Sequence, residues 1–78
     1  MIMASTHIVP VGRAMILRKV LRLVDMIQLF QRRDRAYSAG ELAERYKVHL
    51  SSVYRDLIDL QELGMPLVVE SCRWRLMD

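Results

Sequence analysis

A helix of barely two turns, followed at once by a tight turn and a second helix, stands in the middle of this sequence. Ser38 lies three residues before Glu41, the spacing at which a hydroxyl and a carboxylate satisfy free amides at a helix start. A short helix therefore begins at Ala39, with Leu42, Ala43 and Tyr46 as its apolar residues, and gives way to a turn at Lys47 and Val48. A second helix is predicted from about Leu50 to Leu63, with Leu50, Val53, Leu57, Leu60 and Leu63 on one face. Ala43 is the small residue where the two helices cross most closely, and Val48 and Val53 plug their junction. Gly64 is placed as the C-terminal stop, and Pro66 prevents continuation.

Upstream, Ala14 to Gln31 contains neither Gly nor Pro, and Ile16, Val20, Leu23, Ile27 and Phe30 recur at alternating spacings of four and three. That is a third helix, first in the chain. Leu17, Leu21 and Val24 lie beside the first series and widen the apolar face, leaving Arg18, Lys19, Arg22, Asp25 and Gln28 on the wet side. Two readings follow: a long central helix packed on both flanks, or a face of which part meets a second copy of the chain. Gln31 to Tyr37 reads as a charged connector. After the helices, Leu67-Val68-Val69-Glu70 and Arg73-Trp74-Arg75-Leu76 read as a very short hairpin around Ser71 and Cys72. Neither loop residue readily adopts a positive φ, so the loop is expected to recruit neighbours or to be distorted.

The order is helix, short helix, tight turn, helix, hairpin. The expected fold is mainly α with a small β-hairpin, a winged helix-turn-helix of three-helix core plus short two-stranded wing over residues 13–78. Residues 1–12 are expected to form an N-terminal arm, flexible or dimer-associated, with Thr6 to Val11 as a strand or arm in a dimer. With 78 residues the chain is near the lower limit for one unaided core, and a lone Cys72 and scattered histidines offer neither disulfide nor zinc site. Either the three-helix core suffices, or self-association adds the missing stability.

No stretch is long and apolar enough for a bilayer span, and the start lacks the basic leader and apolar core of a signal peptide. A soluble, cytoplasmic, nucleoid-associated protein is expected. The net charge is +3, but residues 13–35 carry seven basic residues, Arg13, Arg18, Lys19, Arg22, Arg32, Arg33 and Arg35, against Asp25 and Asp34. Residues 36–63 carry Glu41, Glu44, Asp56, Asp59 and Glu62 against Arg45, Lys47 and Arg55. A basic half of this kind is either a polyphosphate-binding surface or a solvated helix flank. His7 and His49 are isolated, Cys72 has no evident base, and there is no glycine-rich phosphate loop. No catalytic residue, metal site or cofactor is predicted, and the chain is read as no enzyme.

The stretch Ser38-Ala39-Gly40-Glu41-Leu42-Ala43-Glu44-Arg45-Tyr46, followed by Val53-Tyr54-Arg55-Asp56-Leu57, closely resembles the amino-terminal domains of DeoR-like and WYL-domain bacterial regulators. The resemblance runs from about Leu17 to Leu76 and includes Leu60-Gln61-Glu62-Leu63-Gly64-Met65-Pro66-Leu67, similar to the family's link from recognition helix to wing. It implies sequence-specific binding of duplex DNA with the third helix in the major groove. It also implies DNA-facing roles for His49, Ser51, Ser52, Tyr54 and Arg55. Three positions differ from the family pattern: Lys47 stands where Gly is common in the turn, His49 replaces the usual capping Ser, and the wing lacks a long glycine-containing loop. Larger family members carry a C-terminal effector or dimerisation domain, and the resemblance implies neither an inducer nor a ligand for these residues.

The residues themselves support the same site. Ser51, Ser52 and Arg55 project away from a stripe of Val53, Leu57 and Leu60 near the helix start. Arg55 is the base-reading candidate, since its guanidinium can pair with O6 and N7 of guanine; the competing reading is an ion pair with Asp56 or Asp59. Ser51 and Ser52 bond phosphate or base edges, or serve as ordinary caps. Tyr54 bonds a phosphate or packs on the first helix. Arg32, Arg33 and Arg35 could clamp the backbone from a flexible connector. Lys47 could reach a phosphate beside the turn. Arg73 and Arg75 share one face of the last strand and could reach phosphate from the wing, with Trp74 on the core side. The expected protein is a bacterial or phage regulator, a repressor by type, acting as a homodimer on duplex DNA. The alternatives are an excisionase-like factor that bends DNA for a recombinase, and a winged helix that binds a protein partner.

Overall fold

A computed structural model describes the backbone of residues 2–78 and the side chains from Ala14 onward. Helix α1 spans Ile2–Gln31, β1 Tyr37–Ser38, α2 Ala39–Tyr46, α3 Leu50–Glu62, β2 Leu67–Glu70 and β3 Arg73–Leu76. The start of α1 is the largest departure from the apolar periodicity, which marks a helix only from Ala14. The backbone of residues 2–12 continues α1 and forms no strand. The contacts of the side chains before Ala14 lie outside the described residues, and with them the dimer role expected of the arm.

The two short helices form where the local signals place them. The Ser38 hydroxyl accepts from the Glu41 amide at 3.1 Å, and the Glu41 carboxylate accepts from the Ser38 amide at 2.8 Å, closing the capping box. Lys47 ends α2 in the left-handed conformation, φ 56° and ψ 47°, at a cost of roughly 1 kcal/mol that Gly would not incur. His49 starts α3 without a side-chain cap bond, so the cap is as weak as the loss of Ser implies. At the far end Gly64 takes φ 104°, its amide bonding Gln61 and the Met65 amide reaching back to Leu60. These paired bonds satisfy carbonyls that would otherwise end the helix unpaired.

The core draws on every element. Met26, Leu29 and Phe30 of α1 meet Leu42 of α2, Val53, Leu57 and Leu60 of α3, and Leu67 and Leu76 of the sheet. Phe30 and Tyr37 pack edge to face with centroids 6.1 Å apart. Ala43 and Val48 lie partly buried against this cluster beside the fully buried Val53, as the helix crossing requires. Leu50 and Leu63, expected on the buried face of α3, are exposed instead; Asp56 takes the interior position between Val53 and Leu60.

The sheet has three strands in the order β1-β3-β2, all antiparallel. The two-stranded wing expected from the sequence thus gains a third strand from the connector, with Tyr37 opposite Trp74 and Ser38 opposite Arg73. Two residues are too short for a periodicity signal, and β1 forms because the edge of β3 offers unpaired backbone groups. Ser71 and Cys72 adopt φ 51° and 63°, so the loop is a tight two-residue turn and recruits no neighbours. The register Glu70↔Arg73 forces both residues into a conformation they do not favour. Trp74 is only partly buried, packed on the core edge.

Candidate nucleic-acid interface

Helix α3 has three distinct sides. Val53, Leu57 and Leu60 face the core, while Ser51, Arg55, Ile58 and Glu62, spaced at i, i+4, i+7 and i+11, run along the solvent side. Between them, roughly a quarter-turn round from that outer stripe, Asp56 and Asp59 face α1. Asp56 is wholly buried and receives both Nε and Nη2 of Arg22. Lys19 lies 3.5 Å from Asp56 and 2.6 Å from Asp59, and the Asp59 hydrogen bond holds its ammonium above the ordinary range. This two-pronged ion pairing fixes the rotation of α3 about its own axis, and so decides which residues face outward.

With Asp56 and Asp59 held by α1, Arg55 makes no ion pair or side-chain hydrogen bond among the described residues and remains exposed. Among the described residues Asp56 and Asp59 pair with Arg22 and Lys19, not with Arg55. Tyr54 is 46 % exposed. Ser51 is exposed and Ser52 half-buried at the first turn, and His49 and Lys47 are exposed just before it. Ile58 is 52 % exposed at the centre of the outer stripe. Sequence reasoning passed over it because an isoleucine in an amphipathic helix reads as core; its spacing of three from Arg55 is the signal that marks it.

An open groove runs between α1 and the start of α3, and its walls include Arg18, Lys19, Val48, Ser52 and Arg55. A second groove, beside the end of α2, includes Arg18, Lys47 and Val48. Arg18 therefore borders both grooves and adds a cation that the sequence reading placed merely on a wet helix face. Among the described residues Arg18, Lys47 and Arg55 are the basic residues without an acidic partner, and all three meet at this end of α3.

The other predicted arginines are tied down elsewhere. Arg32 pairs with Asp34 at 2.9 Å. Arg33 donates to the Met77 carbonyl at 3.3 Å from a left-handed backbone, φ 53°. Arg35 donates to Glu41 at 2.5 Å and lies over the Tyr37 ring, 4.4 Å from its centroid. The expected flexible basic loop is instead a folded connector, held by β1 and these pairs. Arg73 reaches Glu41 at 2.9 Å and Arg75 reaches Glu70 at 2.8 Å. Glu41 thus serves the Ser38 amide, Arg35 and Arg73 together, which holds its carboxyl at about 2. Across α2, the Tyr46 hydroxyl donates to Asp25 at 2.5 Å, and burial pushes this phenol well above its ordinary value.

A three-helix core in which α2 and α3 meet across a tight turn, closed by a small antiparallel sheet, defines a winged helix-turn-helix. The model of the HTH domain family matches residues 22–73, and the chain belongs to that family, which occurs in DeoR-like and WYL-domain regulators. It is a DNA-binding domain of the regulator type, in a family that is not enzymatic. No curated protein and no solved structure matches the chain significantly. Among the described residues no helix is long and apolar enough to cross a membrane.

Proposed function

We propose that this domain is a sequence-specific transcriptional regulator that lays α3 in the major groove of duplex DNA and acts at the bacterial or phage nucleoid. The observation that carries this reading is the gathering at the open end of α3 of Arg18, Lys47 and Arg55, unpaired among the described residues, where a groove admits polyphosphate. Arg55 reads guanine by a bidentate pair, and Ser51 and Ile58 on the same stripe touch adjacent base edges, Ile58 suiting a thymine methyl. Ser52, Tyr54, His49, Lys47 and Arg18 lie round the rim and position the backbone. Arg32, Arg33, Arg35, Arg73 and Arg75 contribute little, because binding phosphate would mean surrendering an existing partner.

Only three or four side chains of one such helix reach base edges, too few to specify a unique site, so the domain acts as a homodimer on two half-sites. Residues 13–78 form the DNA-binding unit and residues 1–12 an extension of it toward the second copy. Repression is the effect expected of a small domain that occupies an operator.

The test is selection of binding sites from random duplexes at two salt concentrations, with wild type and Arg55→Ala compared. A recovered two-part motif that Arg55→Ala no longer prefers is expected, with a salt slope that counts phosphate contacts. Equal, weak, motif-free binding by both proteins would overturn the reading in favour of DNA bending for a recombinase. No binding at low salt, with a protein partner captured on α3, would favour the protein-interaction alternative.

A further inference from the structure

We infer that the outward face of α1 between Ile16 and Val24 is the surface through which two copies pair. The inference rests on the proposed DNA-binding homodimer and names the interface that reading lacks. Ile16, Leu17, Val20, Leu21 and Val24 are 45 to 67 % exposed. At helical spacing they make one stripe, lying roughly half a turn from Lys19 and Arg22, which face α3. Leu17 and Val24 form its centre, Ile16 and Val20 one edge beside the α1–α3 groove and Leu21 the other beside the second groove, and among the described residues no charged side chain interrupts the band between them.

Three observations point to a second copy as the occupant. The first is area: the five residues expose roughly 500 Å² together, so two copies sealing the stripe would remove about 1000 Å² from water, the least that a specific protein pair needs. The second is chemistry: an apolar helix face matches another like itself better than it matches a charged partner such as DNA. Leu17, Val20 and Val24 follow the three-and-four spacing of a seam between paired helices.

The third is direction. Asp56 and Asp59 show that α1 sits beside α3 rather than behind it, about a quarter-turn from the outer stripe of Ser51, Arg55 and Ile58. The apolar band on the far side of α1 therefore points sideways relative to the groove-facing side of α3. A twofold axis parallel to the direction in which α3 faces can join two such bands and leave both recognition helices on the same side of the dimer. A band on the back of α3 would turn the two helices apart, so the lateral position is the one compatible with two half-sites on a single duplex.

Sedimentation of the wild type and of the double variant Leu17→Glu/Val24→Glu, whose side chains line neither groove, without DNA and at tens of micromolar, tests the interface. The wild type is expected at twice the mass of one 9.2 kDa chain, and the variant at half the wild-type value with unchanged helical content. Because both side chains are exposed in the single chain, the variant folds; Leu17→Lys/Val24→Lys gives the same monomer, and mixing the two variants restores the dimer. The duplex recovered by selection, used whole and cut to one half, separates the two readings. If the variants bind the half duplex like wild type and lose only the gain from the second half, both readings are supported. If they dissociate but neither they nor wild type bind DNA, the interface holds and DNA recognition falls. A wild-type monomer, or Glu variants that remain dimeric, overturns the interface.

Discussion

Two groups of basic residues in this small domain have opposite electrostatic fates. In the connector and wing, Arg32, Arg33, Arg35, Arg73 and Arg75 each find a carboxylate among Asp34, Asp78, Glu41 and Glu70. At the start of α3, Arg18, Lys47 and Arg55 find none among the described residues, even though Asp56 is the next residue after Arg55. The difference arises from helix geometry. A carboxylate one residue along a helix points about 100° away, and α1 supplies Arg22 and Lys19 on that side. Net charge along the sequence therefore says little about where a polyanion will settle; what counts is which cations the fold leaves without partners.

The severest way to break this contrast is Asp56→Ala. It leaves the largely buried Arg22 without its carboxylate and Lys19 with Asp59 alone, so stability should drop by about 3 to 5 kcal/mol, read as a lower urea midpoint. A loss below about 1 kcal/mol would mean that the pair does not set the orientation of α3.

Arg55→Ala comes next, with an expected loss of about 1 to 3 kcal/mol of discrimination at one base pair and little change in stability. Competition binding between the selected duplex and its guanine-substituted form checks it. Arg18→Ala and Lys47→Ala should weaken binding to every duplex alike, each lowering the slope of log affinity against log salt by about 1. Against these, Arg73→Ala and Arg32→Ala should leave that slope unchanged. A fall as large as that for Arg18 would show that the paired arginines exchange their carboxylates for phosphate.

The smallest effect concerns acid. Glu41 titrates at about 2 in the fold instead of its ordinary 4.5, so it stabilises the native state above pH 4.5 and loses that contribution as pH falls from 4.5 towards 2. Glu41→Gln should flatten the pH dependence of the urea midpoint within that window and free Arg35 and Arg73 together. Its DNA affinity then tells whether releasing two wing-side cations is enough to recruit phosphate.

What could be read from the residues was whatever depends on near neighbours. The capping box at Ser38, the break at Lys47, the stop at Gly64 and the core positions Val53, Leu57 and Leu60 follow from bonds and periodicities within a few residues. Arg55, Ser51 and Tyr54 were legible as outward residues for the same reason. Ile58 and Arg18 were not, because an exposed isoleucine and a helix-face arginine acquire meaning only beside α3's other outward residues and the grooves at its start.

The sequence by itself determined the order of elements, their caps and the helix-turn-helix at their centre, since those rest on local hydrogen bonds and on spacing along the backbone. Only the tertiary structure decided that Asp56 is interior, that Tyr37 and Ser38 become a strand, that Ser71 and Cys72 accept left-handed conformations, and that half of the apolar face of α1 stays bare. Each of these depends on contacts between residues distant in the chain, where a buried carboxylate needs Arg22 from another helix, a strand needs an open edge, and an apolar face is covered only if a neighbour lies within reach.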